Sequence, residues 1–296
     1  MTNRLKAGLS AATEELWALI FALAGRLWPP AAVRWASPGD QRVVVVAPHP
    51  DDETLACAGT LIQHRRSGDD VCMIYVTDGR LSQAAGLPPE RMAQQRFQEA
   101  QAAVAAMGIG RLHWLGLPEG NWTEDQFQAA VTPVLADLRP HILYVPSRLD
   151  FHPEHRKVAH ALAALLAAWP ERQPALAIRV YQVQVPLTPL LTNLVTDGSA
   201  TAEASRLALD AHVTQQSNVA RSLRMRRYAG RFYGLGKQVE EFWQMSLPDY
   251  VRLHPPDRPD QSFRGLRPYP FTDPLAYLVG LAERWRLHRT FKRGGR

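Results

Sequence analysis

Apolar positions along this chain fall into short runs separated by longer amphipathic stretches. Val43, Val44, Val45 and Val46 stand in a row ahead of Ala47. A β-branched run without polar alternation reads as a strand buried on both faces of a sheet. Residues 54–66 then read as a helix and 71–77 as a second strand. Residues 90–107 form a long helical segment closed by Gly108, a fitting residue just past a helix end. A short strand at 112–115 precedes a helix at 123–138, with Thr123 and Gln126 spaced as a capping box. A strand at 141–145, a helix at 153–169 with Pro153 in its first turn, and a last strand at 178–185 complete the alternation. Beyond residue 190 the strand signals stop. Segments 202–216, 219–232 and 239–245 read as helices, 253–273 as an extended stretch rich in proline and arginine, and 274–291 as a final amphipathic helix.

Strands alternating with helices predict an α/β fold: a Rossmann-like, mostly parallel sheet with helices on both faces. Right-handed crossovers then bring the carboxyl ends of the strands to one rim. Pro29-Pro30 and Ser37-Pro38-Gly39 punctuate the chain before the first strand. The expected organisation is an amphipathic helical extension over 1–40, the α/β domain over 41–250, and a C-terminal extension over 251–296 carrying a basic amphipathic helix. No internal repeat or low-complexity tract interrupts it.

The apolar run from Leu16 to Gly25 sits between Glu14-Glu15 and Arg26. It is shorter than the about 20 residues a spanning helix needs. Two glutamates at its start do not suit a signal peptide. Trp17, Phe21 and Trp28 recur at helical spacing, which fits a helix packed on its own domain or one lying on a membrane surface.

Composition changes this picture little. The 296 residues are 46% hydrophobic and 21% charged, as in ordinary globular proteins. The net charge of +6 is concentrated late, in Arg221, Arg224, Arg226, Arg227 and Arg231 and again from Arg284 onward. That pattern suits a solvated helix face and a basic tail, or attraction to anionic lipid. No motif supports nucleic acid as a partner. Cys57 and Cys72 form no C-x-x-C and lie in apolar stretches, which fits a reducing compartment and hence a cytoplasmic protein, with peripheral membrane contact through the terminal helices as the alternative. Nothing in the sequence speaks to oligomeric state.

The chemistry lies at strand ends. The valine run ends in Pro48-His49-Pro50-Asp51-Asp52-Glu53, and the fourth strand is followed by Asp150-Phe151-His152-Pro153-Glu154-His155. In open α/β sheets, ligands bind outside the carboxyl ends of the strands. A hydrolytic zinc site needs about three protein ligands and one open position. His49, Asp52 and His155 supply two imidazoles and a carboxylate, and Asp51 is left to take a proton from water. His152 and His155 share a face at the start of a helix, so one can bind metal while the other, protonated, faces an oxyanion or a leaving amine. Taken singly, the Asp51-Asp52 pair reads equally well as a helix cap.

These motifs resemble the PIG-L/LmbE-like family of zinc-dependent N-acetylglucosamine deacetylases over roughly residues 41–245. Further matching pieces are Gly59-Thr60-Leu61, Val76-Thr77-Asp78-Gly79, Arg96-Phe97-Gln98-Glu99-Ala100, Leu115-Gly116-Leu117-Pro118-Glu119-Gly120, and Ala208 to His212 with Gln215. The resemblance implies one zinc per chain, or another divalent metal, held by His49, Asp52 and His155. It implies Asp51 as general base and His152 as the histidine near the carbonyl oxygen. It also implies sugar contact by Arg96, a related role for Glu119, and supporting roles for Asp150 and for Glu154, whose position helps orient the catalytic histidine. Glu154 stands where the family has aspartate, and Glu119 likewise follows Leu117-Pro118 in place of aspartate.

The expected activity is hydrolytic removal of an acetyl group from an N-acetylglucosamine-type conjugate, with that conjugate as partner. A metal-dependent phosphoester hydrolase would call for a second metal and more carboxylates. A non-catalytic glycan- or lipid-binding protein would not need all of His49, Asp51, Asp52, His152 and His155. Dinucleotide binding would call for a G-x-G-x-x-G after the first strand, which is absent.

Overall fold

The computed structural model describes residues 3–28, 31–169 and 176–254. In chain order the elements are α1 (Asn3–Leu27), β1 (Val33–Arg34), β2 (Arg42–Ala47), α2 (Asp52–Arg66), β3 (Asp70–Thr77), α3 (Pro89–Ala106), β4 (Arg111–Leu117) and α4 (Glu124–Leu138). There follow β5 (Ile142–Pro146), α5 (Pro153–Ala168), β6 (Ala177–Tyr181), α6 (Thr188–Leu191), β7 (Leu194–Asp197), α7 (Ala202–Asp210), α8 (Gln216–Tyr233), β8 (Val239–Ser246) and α9 (Leu247–Leu253).

One sheet runs in the order β1-β7-β8-β6-β5-β2-β3-β4, with β8 antiparallel to both neighbours and the other pairings parallel. The mostly parallel α/β fold expected from the sequence is therefore the one adopted. Its valine run alternates between two cores. Val44 and Val46 pack with Phe127, Val131 and Leu162 on one face, and Val43 and Val45 pack with Leu61, Met73 and Val104 on the other. Both faces are covered, which is why no polar residue breaks the run.

Topology sets the site. From β2 the chain moves outward through β3 to β4, then crosses back to lay β5 on the other side of β2. The strand order reverses between β2 and β5, and a crevice opens at such a switch point beyond the strand carboxyl ends. His49 leaves the end of β2, and His152 and His155 open α5 just after β5. The connecting helices have local signals. Thr123 and Gln126 form the expected capping box, with Gln126 N–H donating to Thr123 Oγ1 at 3.2 Å and Thr123 N–H donating to Gln126 Oε1 at 2.8 Å.

The expectation that strands stop after residue 190 is overturned. β7 and β8 both lie beyond it, and the helix expected over 239–245 is the buried strand β8. Glu240 and Glu241 look like a solvated helix face in sequence. Both are buried, Glu240 against Arg226 and Thr60 and Glu241 against Tyr233 and Gln182. Long-range partners override local propensity there. The last predicted strand also ends early, at Tyr181, and the helix expected over 202–216 breaks after Asp210 into a 3-10 turn at residues 213–215. The region 255–296, with its predicted basic helix, lies outside the described residues.

Helix α1 packs on α8. Phe21 stacks on Tyr228 at 5.1 Å between ring centroids, and Ala18, Met225 and Phe232 close the contact. Gly25 lets the backbones touch, since a Cβ there would sit 1.9 Å from the Phe232 carbonyl oxygen. Glu14 and Glu15 flank the contact as partners of Arg224 and Arg227. The opposite face of α1 exposes Leu16, Leu19, Leu23 and Leu27. No described helix is long and apolar enough to cross a membrane.

Candidate active site

The β2–β5 crevice holds a cleft of about 170 Å³. Its floor is a triangle of donor atoms. His49 Nδ1 lies 3.2 Å from His155 Nε2 and 3.3 Å from Asp52 Oδ2, and His155 Nε2 lies 3.2 Å from the same oxygen. A tetrahedral ion with bonds of about 2.0–2.1 Å separates its ligand atoms by roughly 3.3–3.4 Å. The triangle therefore fits a zinc-sized cation with one side open to the cleft. A wider set, His49, His152 and His155, lies within 4.8 Å. It fits less well, because His152 Nδ1 already accepts the Glu154 backbone N–H at 3.3 Å as the N-cap of α5.

Each ligand candidate has a partner behind it. His49 Nε2 is 3.1 Å from Glu119 Oε1, and His155 Nδ1 is 3.1 Å from Asp150 Oδ2. Carboxylates behind metal-binding imidazoles fix the ring and its tautomer. Asp150 is itself held by the backbone N–H groups of His152 and Gln184. Glu119 Oε2 accepts the Leu81 N–H at 3.0 Å, so both of its oxygens are engaged by the protein.

Charge in the cleft follows from these contacts. Burial pulls the His49 imidazole down, but Asp52 and Glu119 more than reverse this and push it up to about 9. Burial likewise opposes the charged form of His155, and Asp52 with Asp150 raises it well above its usual value. Burial favours the neutral form of Asp52, and His155 and His49 together hold it well below the carboxylate range. His152 goes the other way: burial, reinforced by the charges of His49 and His155, pushes it down to about 4. Both causes oppose the protonated His152 expected from the sequence, and the geometry makes its Nδ1 an acceptor.

Asp51 sits at the N-cap of α2 yet makes no side-chain capping bond. Its Oδ1 instead accepts from Arg96 Nη2 at 2.6 Å, and that guanidinium also donates to the Pro50 carbonyl at 3.0 Å. Asp51 and Arg96 are both buried and both line the cleft. Gly79 makes room for this arrangement. It has φ 66°, and a Cβ there would lie 2.9 Å from the Arg96 side chain. Glu154, expected to support a site histidine, turns its carboxylate to the Trp122 indole N–H at 2.7 Å.

The outer wall of the cleft carries no sequence motif. Asn218, Arg221 and Ser222 of α8 line the cleft beside Leu55 and Val183. Arg221 stood in the sequence only as one of five arginines of a basic helix, with no local motif to separate it. The five divide sharply: Arg226 is buried against Glu240, Arg224 and Arg227 face α1, and Arg231 is exposed.

Residues 44–166 match the family model described as PIG-L: GlcNAc-PI de-N-acetylase. A 1D-myo-inositol 2-acetamido-2-deoxy-alpha-D-glucopyranoside deacetylase of Mycobacterium sp. (strain KMS) is 32% identical over 143 residues, covering 38% of this chain and 46% of that protein. The chain thus spans about half the length of the curated relatives it matches. Among solved structures, a conserved protein from Thermus thermophilus is 26% identical with a TM-score of 0.58, covering 68% of this chain and 93% of that one. N,N'-diacetylchitobiose deacetylase from Pyrococcus horikoshii superposes with a TM-score of 0.59 at 19% identity, covering 70% of this chain and 85% of that one, a likeness of fold. The matched segment contains the whole donor triangle, and it carries the similarity of this chain to the PIG-L family.

Proposed function

We propose that the protein is a zinc-dependent N-deacetylase that hydrolyses the acetamide of an N-acetylglucosamine-type conjugate to the free amine and acetate. The observation that carries this reading is the triangle of His49 Nδ1, Asp52 Oδ2 and His155 Nε2, at 3.2–3.3 Å, beside an acid that caps nothing. A divalent ion held there would polarise the amide carbonyl and acidify water. Asp51 is the base: Oδ1 is engaged by Arg96, and Oδ2 has no hydrogen bond among the described residues and is left to take the proton of the attacking water. The same carboxyl then returns a proton to the departing amine. His152 accepts at Nδ1, so its proton is on Nε2, and that N–H donates to the carbonyl oxygen as negative charge builds there.

Arg96 and Glu119 take positioning roles in this scheme, Arg96 on Asp51 and Glu119 on His49, ahead of any contact with the sugar. Asp150 positions His155, and Glu154 ties α5 to Trp122. Residues 41–250 form the catalytic unit. The named activity of the mycobacterial relative supports an acetylated glucosamine as the substrate class. The buried free thiols Cys57 and Cys72 suit a cytoplasmic enzyme. The exposed leucines of α1 supply a surface for peripheral membrane contact, to be read by co-sedimentation with anionic vesicles.

The test is acetate release from free, inositol-linked, hydroxyacid-linked and lipid-linked N-acetylglucosamine, with zinc added and chelated, alongside metal counting. One zinc per chain and chelator-sensitive acetate release are expected. Two metals per chain with phosphoester cleavage and no acetate would refute the proposal. His155→Ala should lose the metal, and His152→Ala should retain it.

A further inference from the structure

The carboxylates on the cleft floor are matched: Asp51 with Arg96, Asp52 with two imidazoles, and Glu119 with His49. The outer wall is different. It consists of Leu55, Val183 and uncharged polar side chains, with one charge, Arg221. This guanidinium is partly buried and has no hydrogen bond or ion pair among the described residues. Its neighbours Arg224 and Arg227 on the same helix do have acids, Glu14 and Glu15, on the side facing α1. The unmatched cation is thus found where α8 turns to the cleft.

Arg221 is also held in place relative to the metal-binding end of the sheet. The next residue, Ser222, donates through Oγ to the Leu55 carbonyl at 2.6 Å. One turn further on, Arg226 Nη2 donates to the Thr54 and Leu55 carbonyls at 2.9 and 2.8 Å, while Nη1 pairs with Glu240 at 2.8 Å. Those carbonyls belong to the first turn of α2, the helix that begins with Asp52. One turn before Arg221, on the same face, Asn218 is held by Gln215, and Gln215 is held by Ser82. The wall is built and fixed, and its charge has no counterpart among the described residues.

We propose that this outer wall is an anion subsite, in which Arg221 with Asn218 binds a carboxylate or phosphate carried by the part of the substrate beyond the amino sugar. The inference rests on the deacetylase reading and narrows it to anionic conjugates. A guanidinium forks onto either oxyanion with two parallel N–H donors, and in a partly desolvated wall such charge-assisted bonds are strong. The two sources of the anion differ in charge and size, and the substrates separate them.

The experiment compares kcat/KM for three N-acetylglucosaminides with a phosphate, a hydroxyacid carboxylate or a neutral methyl aglycone. The preference of the wild type for an anionic over the neutral substrate is expected to be about ten- to hundredfold, and to fall with added salt. Arg221→Gln should bring that ratio close to one, Arg221→Lys should recover part of it, and Arg224→Gln should leave it as in the wild type. Which anion shows the larger ratio names the source. A wild-type ratio near one, or a ratio that survives Arg221→Gln, overturns the subsite while leaving the deacetylase reading intact. If no substrate releases acetate, calorimetric binding of N-acetylglucosamine 1-phosphate still decides the matter. Binding weakened about tenfold or more by Arg221→Gln supports the subsite, and binding absent or unchanged by the substitution overturns it.

Discussion

The Asp51–Arg96 pair yields a prediction in which chemistry and stability separate. Both side chains are about 5% exposed, and their closest approach is 2.6 Å. Asp51→Asn keeps an oxygen for Arg96 but cannot accept a proton. General base catalysis contributes typically about 10²–10⁴-fold, so acetate release should fall by roughly 2.7–5.4 kcal/mol of barrier. Stability should fall far less, since a hydrogen bond to the guanidinium remains. Arg96→Met is the mirror image. It removes the cation and leaves a buried carboxylate without its partner, which costs roughly 3–5 kcal/mol. At about 2–4 °C per kcal/mol, the midpoint of thermal unfolding should drop by roughly 6–20 °C. The double variant no longer buries a lone charge and should melt above Arg96→Met alone, while remaining inactive. The assay is a double-mutant cycle on thermal unfolding of the zinc-loaded protein, run beside acetate release. A double variant whose losses simply add would refute the coupling. An Asp51→Asn enzyme at full rate would remove Asp51 from the chemistry.

Three further outcomes follow from other contacts. Asp150→Asn removes the carboxylate behind His155 and should weaken zinc binding about 10–100-fold in competition with a chromogenic chelator; an unchanged affinity would mean that His155 needs no such support. Trp122→Phe strips the buried Glu154 carboxylate of its indole donor and should cost about 1–3 kcal/mol in denaturant unfolding, against nearly nothing if water reaches that oxygen. His254 is pushed down to about 3 by burial, although its Nδ1–H bonds the Tyr250 carbonyl. Its unfolded value is near 6.5, so the unfolded chain binds a proton that the fold refuses. Its contribution is complete above pH 6.5 and is lost as pH falls toward 3; His254→Gln should reduce the slope of stability against pH in that window by up to about 1.4 kcal/mol per unit, and parallel profiles would show that the ring is already charged when folded.

The parts of this protein that could be read in advance are those with local causes. The valine run, the Thr123–Gln126 box and Pro153 each specify their element through neighbours in sequence. The donors His49, Asp52 and His155 were visible because each follows a recognisable strand. What escaped depends on distant partners. β8 reads as a helix in sequence because Glu240 and Glu241 become buried only through Arg226, Tyr233 and Gln182. The commitment of Arg96 to Asp51, and of Glu154 to Trp122, is a matter of three-dimensional reach that no spacing encodes. Arg221 was hidden among like charges, and only the packing of α8 sets it apart.

The donor triangle also dictates an order of biosynthesis. His49 and His155 are 106 residues apart, and Asp52 belongs with the first of them. A nascent chain that has completed β2, β3 and β4 owns two donors and can hold an ion only weakly. The third arrives with α5, after β5 has crossed back to β2. On the proposed reading, metal capture would report that this crossover has been made. An ion bound in the finished site would then act as a clasp between the two halves of the sheet, resisting the separation of β5 from β2.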